Sequence, residues 1–219
     1  MNFNLPDGTR AQRKELITVA EWEDENGTLY KVLTAKPGNW DTAYTNYYTR
    51  SGTSPNYTYE TVTGSTAPTF AEGTYYKRLS REILGRRVED SAIEFNSETT
   101  TSRDILGENY TDVDGTKPQQ SFDPFNIIGG SKLAPYLTQA GLSNKFSKYN
   151  NVFTIYIIAK FIGSEGAYYA VMHEGCSIIP NSIGGDAWVK MPIEVYYSNR
   201  ITEGTVNKLA DDFEFTAAA

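Results

Sequence analysis

The chain has 219 residues, a formal net charge of −7, one histidine and one cysteine, Cys176. A single cysteine excludes an intrachain disulfide framework, and one histidine beside it is too few for a Cys/His metal centre. The acidic balance does not attract nucleic acid, and an aromatic content of 13% with 16 tyrosines favours strands over helices.

No apolar run reaches the roughly 20 residues that a membrane helix requires. The first twenty residues carry Asp7, Arg10, Arg13, Lys14 and Glu15, which do not read as a signal peptide. The expectation is a protein made in the cytoplasm and soluble, with no membrane partner, folded as a single domain.

Residues 1–14 are polar and read as a frayed terminus or as an arm that docks on a neighbour. Glu15–Trp22 predicts a strand, Asn26-Gly27 a hairpin turn, and Thr28–Thr34 the return strand. Glu21, Glu23, Asp24 and Glu25 gather at that turn. Residues 36–74 are rich in Thr, Tyr, Gly, Pro and Ser and predict a hairpin or loop insertion. Trp40 with Tyr44, Tyr47, Tyr48, Tyr57 and Tyr59 could pack on their own domain or meet a sugar or a protein surface.

Lys77, Arg78, Arg81, Arg86 and Arg87 form a basic cluster around Gly85. An acidic block follows: Glu89, Asp90, Glu94, Glu98, Asp104, Glu108, Asp112 and Asp114, against Arg103 alone. Opposed charge blocks on one chain suit head-to-tail contact between identical copies, which closes into rings or extends into filaments. The expected subunit interface comprises Arg86, Arg87, Glu98, Arg103, Asp104, Glu108, Asp112, Asp114 and Lys117, with the two arginines meeting acids of a neighbour.

Ala92–Ser97 predicts a strand with Ile93 and Phe95 on one face. Thr99–Gln120 predicts a polar, projecting link, interrupted only by Ile105, Leu106, Tyr110 and Val113. Ser121–Gly130 predicts the return into Ser131–Gly141, the best helix candidate. There Ser131 can cap the N-terminus, Leu133, Tyr136, Leu137 and Ala140 share one face, and Gly141 can take the left-handed position that ends the helix.

Val152–Ile162 is the strongest strand, apolar enough to be central and partly covered on both faces. Gly163-Ser164-Glu165-Gly166 predicts a turn. Ala167–Met172, Gly175–Pro180 and Ala187–Tyr197 predict further strands, Phe213–Phe215 a last short one, and Ala217–Ala219 an unstructured end. The fold class is mainly β: two packed antiparallel sheets, as a sandwich or partial barrel, with one flanking α-helix.

No catalytic motif is present: neither a G-x-S-x-G elbow nor a phosphate loop occurs. His173 reads as a satisfied surface histidine at a strand end, and Cys176 as a buried, inert thiol. The 27 acids single out no carboxylate pair for sugar hydrolysis. The chain therefore reads as no enzyme, with no cofactor and no metal, while a hydrolase using an acid pair stays open.

A set of short motifs in fixed order resembles the major tail (tail tube) proteins of long-tailed phages and related prophages. The motifs are Ile93-Glu94-Phe95-Asn96, Asp104-Ile105-Leu106-Gly107, Tyr110-Thr111-Asp112-Val113, Pro118-Gln119-Gln120-Ser121-Phe122-Asp123-Pro124, Thr154-Ile155-Tyr156-Ile157-Ile158, Met191-Pro192-Ile193-Glu194-Val195 and Gly204-Thr205-Val206. The resemblance covers residues 76–216 and leaves 36–74 as a lineage-specific addition.

It implies a single tail-tube domain over residues 1–219, with no separate C-terminal immunoglobulin-like domain. It implies stacked hexameric rings in which part of a sheet from each copy joins a continuous inner barrel, and a long loop and the terminal arms bridge neighbouring rings. The implied location is the virion tail, after synthesis in the host cytoplasm. The implied partners are further copies of the chain, a tape measure protein in the lumen, tail terminator and distal tail or baseplate proteins, and genome DNA in transit without specific binding. The competing expectation is a β-sandwich module that binds carbohydrate or a host surface through residues 36–74.

Overall fold

The computed structural model describes residues 11–38, 40, 44–86, 88, 91–123, 125, 127, 129–185, 189–210 and 212–218. In chain order the strands are β1 (Leu16–Glu23), β2 (Leu29–Val32), β3 (Tyr47–Thr53), β4 (Asn56–Thr61), β5 (Tyr75–Leu84), β6 (Ile93–Glu94), β7 (Ser97–Arg103), β8 (Asn109–Thr116) and β9 (Gln119–Phe122). A helix, α1 (Leu133–Leu142), precedes β10 (Phe153–Ser164), β11 (Ala167–Pro180), β12 (Ile193–Tyr196), β13 (Ile201–Val206) and β14 (Phe215–Ala217). The fold is mainly β, with antiparallel sheets, one flanking helix and no closed barrel among the described residues. Two compact units divide the chain: Met1–Ala20 with Glu82–Ala219, and Glu21–Arg81. Segment 36–74 lies wholly within the second.

The first unit is built on β11. Its first half is hydrogen-bonded on both edges, to β10 and to β13, with Val171 opposite both Ile157 and Glu203. Its second half pairs with β12, which continues to β9 and β6. One strand thus belongs to a larger sheet and then to a smaller one. The join is at Gly175, whose φ of +76° is left-handed and suits glycine. Ala167–Met172 and Gly175–Pro180, expected as two strands, are therefore one bent strand.

Apolar residues on both faces of β10 explain the two layers around it. Tyr156 and Ile158 pack with Val19, Ala170, Val206 and Phe213, and the Phe213 ring meets Tyr156 edge-on with centroids 4.9 Å apart. Phe153 and Ile155, on the other face, are fully buried, and Tyr136 of α1 meets Phe153 edge-on. Leu133, Ala134, Leu137 and Ala140 are buried along α1, which packs on β11. Full burial of each leucine stabilises by about 1.5–3 kcal/mol.

The helix start keeps the expected Ser131 cap and adds a second acceptor, and the helix end differs from expectation. The cap position is Lys132, whose side chain cannot accept a hydrogen bond. A second acceptor beside Ser131 comes from the end of β5: Glu82 Oε2 accepts the amides of Lys132 at 2.7 Å and Leu133 at 2.8 Å. Ser131 donates its hydroxyl to Glu82 Oε1 at 2.8 Å and accepts the Ala134 amide at 3.2 Å. A carboxylate at that end satisfies orphan amides and opposes the positive pole of the helix. At the C-terminus, Gly141 stays helical. Asn144, with φ +53°, is the left-handed residue, and the bonds Lys145 N–H to Ala140 O (2.9 Å) and Asn144 N–H to Gly141 O (3.1 Å) complete a Schellman turn.

The remaining strands shift in smaller ways. The C-terminal strand is Phe215–Ala217 rather than Phe213–Phe215, because Phe213 turns into the core and Phe215 pairs with Val206. Ala217 is thus in a strand and not in a loose end. The strand expected over Ala187–Tyr197 is confined to Ile193–Tyr196, and residues 186–188 lie outside the described residues. Residues 1–10 of the expected arm also lie outside them.

In the second unit, β5 runs between β2 and β3, and β4 completes a hairpin with β3. Thr28–Thr34 does not return as a hairpin on β1: β2 pairs with β5, Tyr30 opposite Arg78. The turn at Asn26-Gly27 is made by Asp24, whose Oδ1 accepts the Asn26 amide at 2.9 Å. Gly27 is required for closeness: a Cβ there would stand 2.3 Å from the Leu79 carbonyl oxygen. The core of this unit is Trp40 with Tyr47, Tyr75, Leu33 and Val62, and the indole N–H donates to Pro68 O at 2.8 Å.

The Glu82 cap leads to a measurable expectation. Glu82→Ala should lower the unfolding free energy by about 1–2 kcal/mol, as a charge-assisted cap is lost. Chemical denaturation checks it, and an unchanged midpoint would show that the carboxylate does not carry the helix start.

Candidate functional site

The span Ser97–Thr116 forms a two-stranded sheet of its own, β7 with β8, from Ser97 opposite Thr116 to Arg103 opposite Asn109. Most of the expected link Thr99–Gln120 is therefore a hairpin, with a register shift between Glu98 and Thr99, and the strand expected at Ala92–Ser97 shrinks to Ile93–Glu94 with Phe95 exposed. The hairpin starts at Asn96, whose φ of +44° turns the chain out of the smaller sheet. A Lys117 N–H to Phe95 O bond of 3.1 Å closes its base.

At the tip, Asp104 organises the turn. Its Oδ1 accepts the amides of Leu106 at 2.9 Å and Glu108 at 2.8 Å, and Arg103 Nε donates to Gly107 O at 2.9 Å. Gly107 takes a φ of +87°. These bonds hold Ile105 and Leu106 at the end of the hairpin, where Ile105 is fully exposed and Leu106 is 81% exposed. Val113 is exposed as well. Among the described residues, nothing in this hairpin reaches the core.

Seven of the nine residues expected at a subunit interface therefore fall into three groups on or beside the hairpin. Arg103, Asp104 and Glu108 are at the tip, with the first two shaping the turn. Glu98 and Lys117 form an ion pair at the base. Asp112 and Asp114 lie along β8, and Asp114 accepts the Thr100 hydroxyl. Arg86 is exposed in the turn after β5, away in sequence from the hairpin, and Arg87 lies outside the described residues.

The basic cluster does not act as one block. In the second unit, Lys77 pairs with Glu23 at 3.9 Å, and Arg78 donates to Glu25 O at 2.6 Å. Arg81 Nε meets the buried carboxylate of Glu21 at 2.5 Å. Two of the five cations, Lys77 and Arg81, thus pair with acids of β1, and Arg78 bonds a backbone carbonyl of the turn, because β5 passes beside it.

One face of the second unit carries tyrosines alternating with arginines. Tyr30 stacks on Tyr59 with centroids 3.8 Å apart, and meets Tyr48 edge-on at 5.2 Å. Arg50 lies 4.1 Å over Tyr57 and 5.0 Å from Tyr76, while Arg78 lies 4.7 Å over Tyr48. Period-2 alternation along β3, β4 and β5 places these side chains on one face. The rings are spent largely on one another. Trp40 and Tyr47, natural candidates for a sugar platform, are buried in the core and offer no face to a ligand.

The groups that could carry chemistry are enclosed. His173 is buried mid-strand, contrary to the surface position expected; its Nδ1 lies 3.0 Å from Ser198 O and its ring 5.0 Å from that of Tyr197. Burial holds its pKa below the ordinary 6.5, against a smaller raising effect of the Ser198 carbonyl. Burial likewise pushes the Cys176 thiol up and the Tyr197 phenol far up. Tyr197 donates to Gln120 Oε1 at 2.6 Å; that oxygen also accepts from Thr18 at 3.0 Å, and Gln120 Nε2 donates to Ser91 at 2.9 Å. A satisfied buried network of this kind fixes β9 against β1 rather than presenting reactive groups. Among the described residues, no three His, Cys, Asp or Glu side chains gather as a metal site.

Comparison with models of known protein families and with curated proteins finds no match to this chain.

The sole histidine offers a clean titration. A depressed folded pKa means that the unfolded chain takes up the proton first. The stability contributed by neutral His173 is thus complete above pH 6.5, and it is lost as pH falls through the interval down to the folded pKa. The single imidazole resonance should titrate below 6.5 in the folded protein. His173→Gln should flatten the dependence of unfolding free energy on pH in that interval; a folded pKa at or above 6.5 would contradict the burial argument.

Proposed function

We propose that the chain is a self-assembling virion structural protein of the phage tail tube type, whose copies join into stacked rings around a conduit for DNA. The observation that carries this reading is the β7–β8 hairpin. A two-stranded hairpin without a core is marginal in water. This one spans Ser97–Thr116 and ends in two exposed aliphatic side chains. Such an element is accounted for by a partner that covers it. The motif order described above supplies the kind of partner, a further copy of the chain.

Two physical arguments support the assembly. The hairpin tip differs from any surface that would receive it, so contact between copies is heterologous, the type that closes into rings or extends as filaments. The net charge of −7 lets acids face a lumen, where they repel phosphate so that DNA passes without sticking. In this reading the tape measure protein fills the lumen before ejection, and terminator and distal tail proteins close the ends.

Electron microscopy of the purified protein at high concentration tests the reading: rings or tubes of uniform width are expected, and a strictly monomeric protein would overturn it. Replacing residues 99–114 with a short Gly/Ser turn should leave the unfolding free energy nearly unchanged, within about 0.5 kcal/mol, because the hairpin adds nothing to the core. The same replacement should abolish assembly. Unimpaired tubes from that variant would remove the hairpin from the interface.

A further inference from the structure

We propose that the tip of the β7–β8 hairpin docks on the corner that follows α1, around Leu142 and Phe146, of a second copy of the chain. This rests on the assembly reading and names the surface that receives the hairpin.

The corner is an apolar patch in a basic setting. The Schellman turn at Asn144 carries the chain off α1 and leaves Leu142 75% and Phe146 63% exposed. Phe146 meets Tyr149 edge-on, with centroids 5.7 Å apart. Lys145 is exposed beside it, and the Lys148 ammonium lies 5.5 Å from the Tyr136 ring. Between Asp123 and Glu165 the chain has no acidic residue and four cations: Lys132, Lys145, Lys148 and Lys160.

The tip is the converse. Ile105 and Leu106 stand between Asp104 and Glu108, and the Asp104 carboxylate fixes the turn that presents them. Two aliphatic side chains flanked by acids thus match a leucine and a phenylalanine flanked by lysines. Apolar contact supplies the attraction, and the flanking charges select the register and disfavour the wrong surface. The tip does not cover the corner of its own copy, since both are exposed in the single chain. The earlier cations are a poorer choice: Lys77, Arg78 and Arg81 already bond within their own unit.

A heterologous contact can be tested by complementation. One variant carries Ile105→Gln and Leu106→Gln, the other Leu142→Gln and Phe146→Gln. All four side chains are exposed, and thermal melts establish that both variants fold. Each alone should lose self-association by at least about tenfold in sedimentation velocity. Mixed, the intact corner of the first meets the intact tip of the second, giving a 1:1 pair that grows no further. A second test uses charge: Lys145→Glu should weaken assembly, and adding Glu108→Lys in the same chain should restore it. If the wild type assembles while either glutamine variant assembles equally well, or the mixture stays monomeric, the docking pair is overturned and the assembly reading survives. If the wild type never associates, both fall.

Discussion

The first unit depends on one strand having its hydrogen bonds taken up by two sheets in succession. β11 is flanked by β10 and β13 in its first half and by β12 in its second. A straight strand could not serve both, and the bend is placed at Gly175. The segment after β12 fixes that bend: Glu174 N–H donates to Arg200 O at 3.0 Å, and Arg200 Nε donates to Glu174 O at 3.1 Å. A Cβ on residue 175 would meet the Arg200 guanidinium at 1.9 Å, so the clamp closes only over a bare backbone.

Long, strongly patterned elements were legible in the sequence. The apolar run of β10 predicted a strand covered on both faces, and the 3.6-residue spacing predicted α1 and its buried face. What the sequence concealed were partners distant along the chain. Ser131 looked like a sufficient cap, and nothing local shows that Glu82, some fifty residues earlier, reaches the same amides. Asn26-Gly27 read as a hairpin because turn chemistry is local, whereas the pairing of β2 with β5 is decided by the sheet. Gly141 lost the left-handed position to Asn144, a residue that tolerates it when the helix has reason to run one turn further.

The same divide applies to the candidate interface. A polar link over Thr99–Gln120 was readable from its composition; that Ser97–Thr116 pair as a hairpin was obscured because both faces are polar and show no apolar alternation. Ile105 and Leu106 stood out as apolar residues in a polar span. Leu142 and Phe146 were harder to see, since their exposure depends on where the helix ends. Charge blocks were legible as blocks but not as pairs. Glu21 and Glu23 pair with Arg81 and Lys77 of β5, while Glu98, Asp104 and Asp114 of the later block bond within their own hairpin.

Both long edges of the hairpin are open to solvent, and a strand edge is ordinarily an invitation to pair with its own kind. Here the edges carry Glu98 on β7 and Asp112 and Asp114 on β8, while Val113 is the sole large aliphatic residue along β8. Two hairpins approaching edge to edge would set carboxylate against carboxylate. Acids along an open edge thus act as gatekeepers against uncontrolled growth of the sheet.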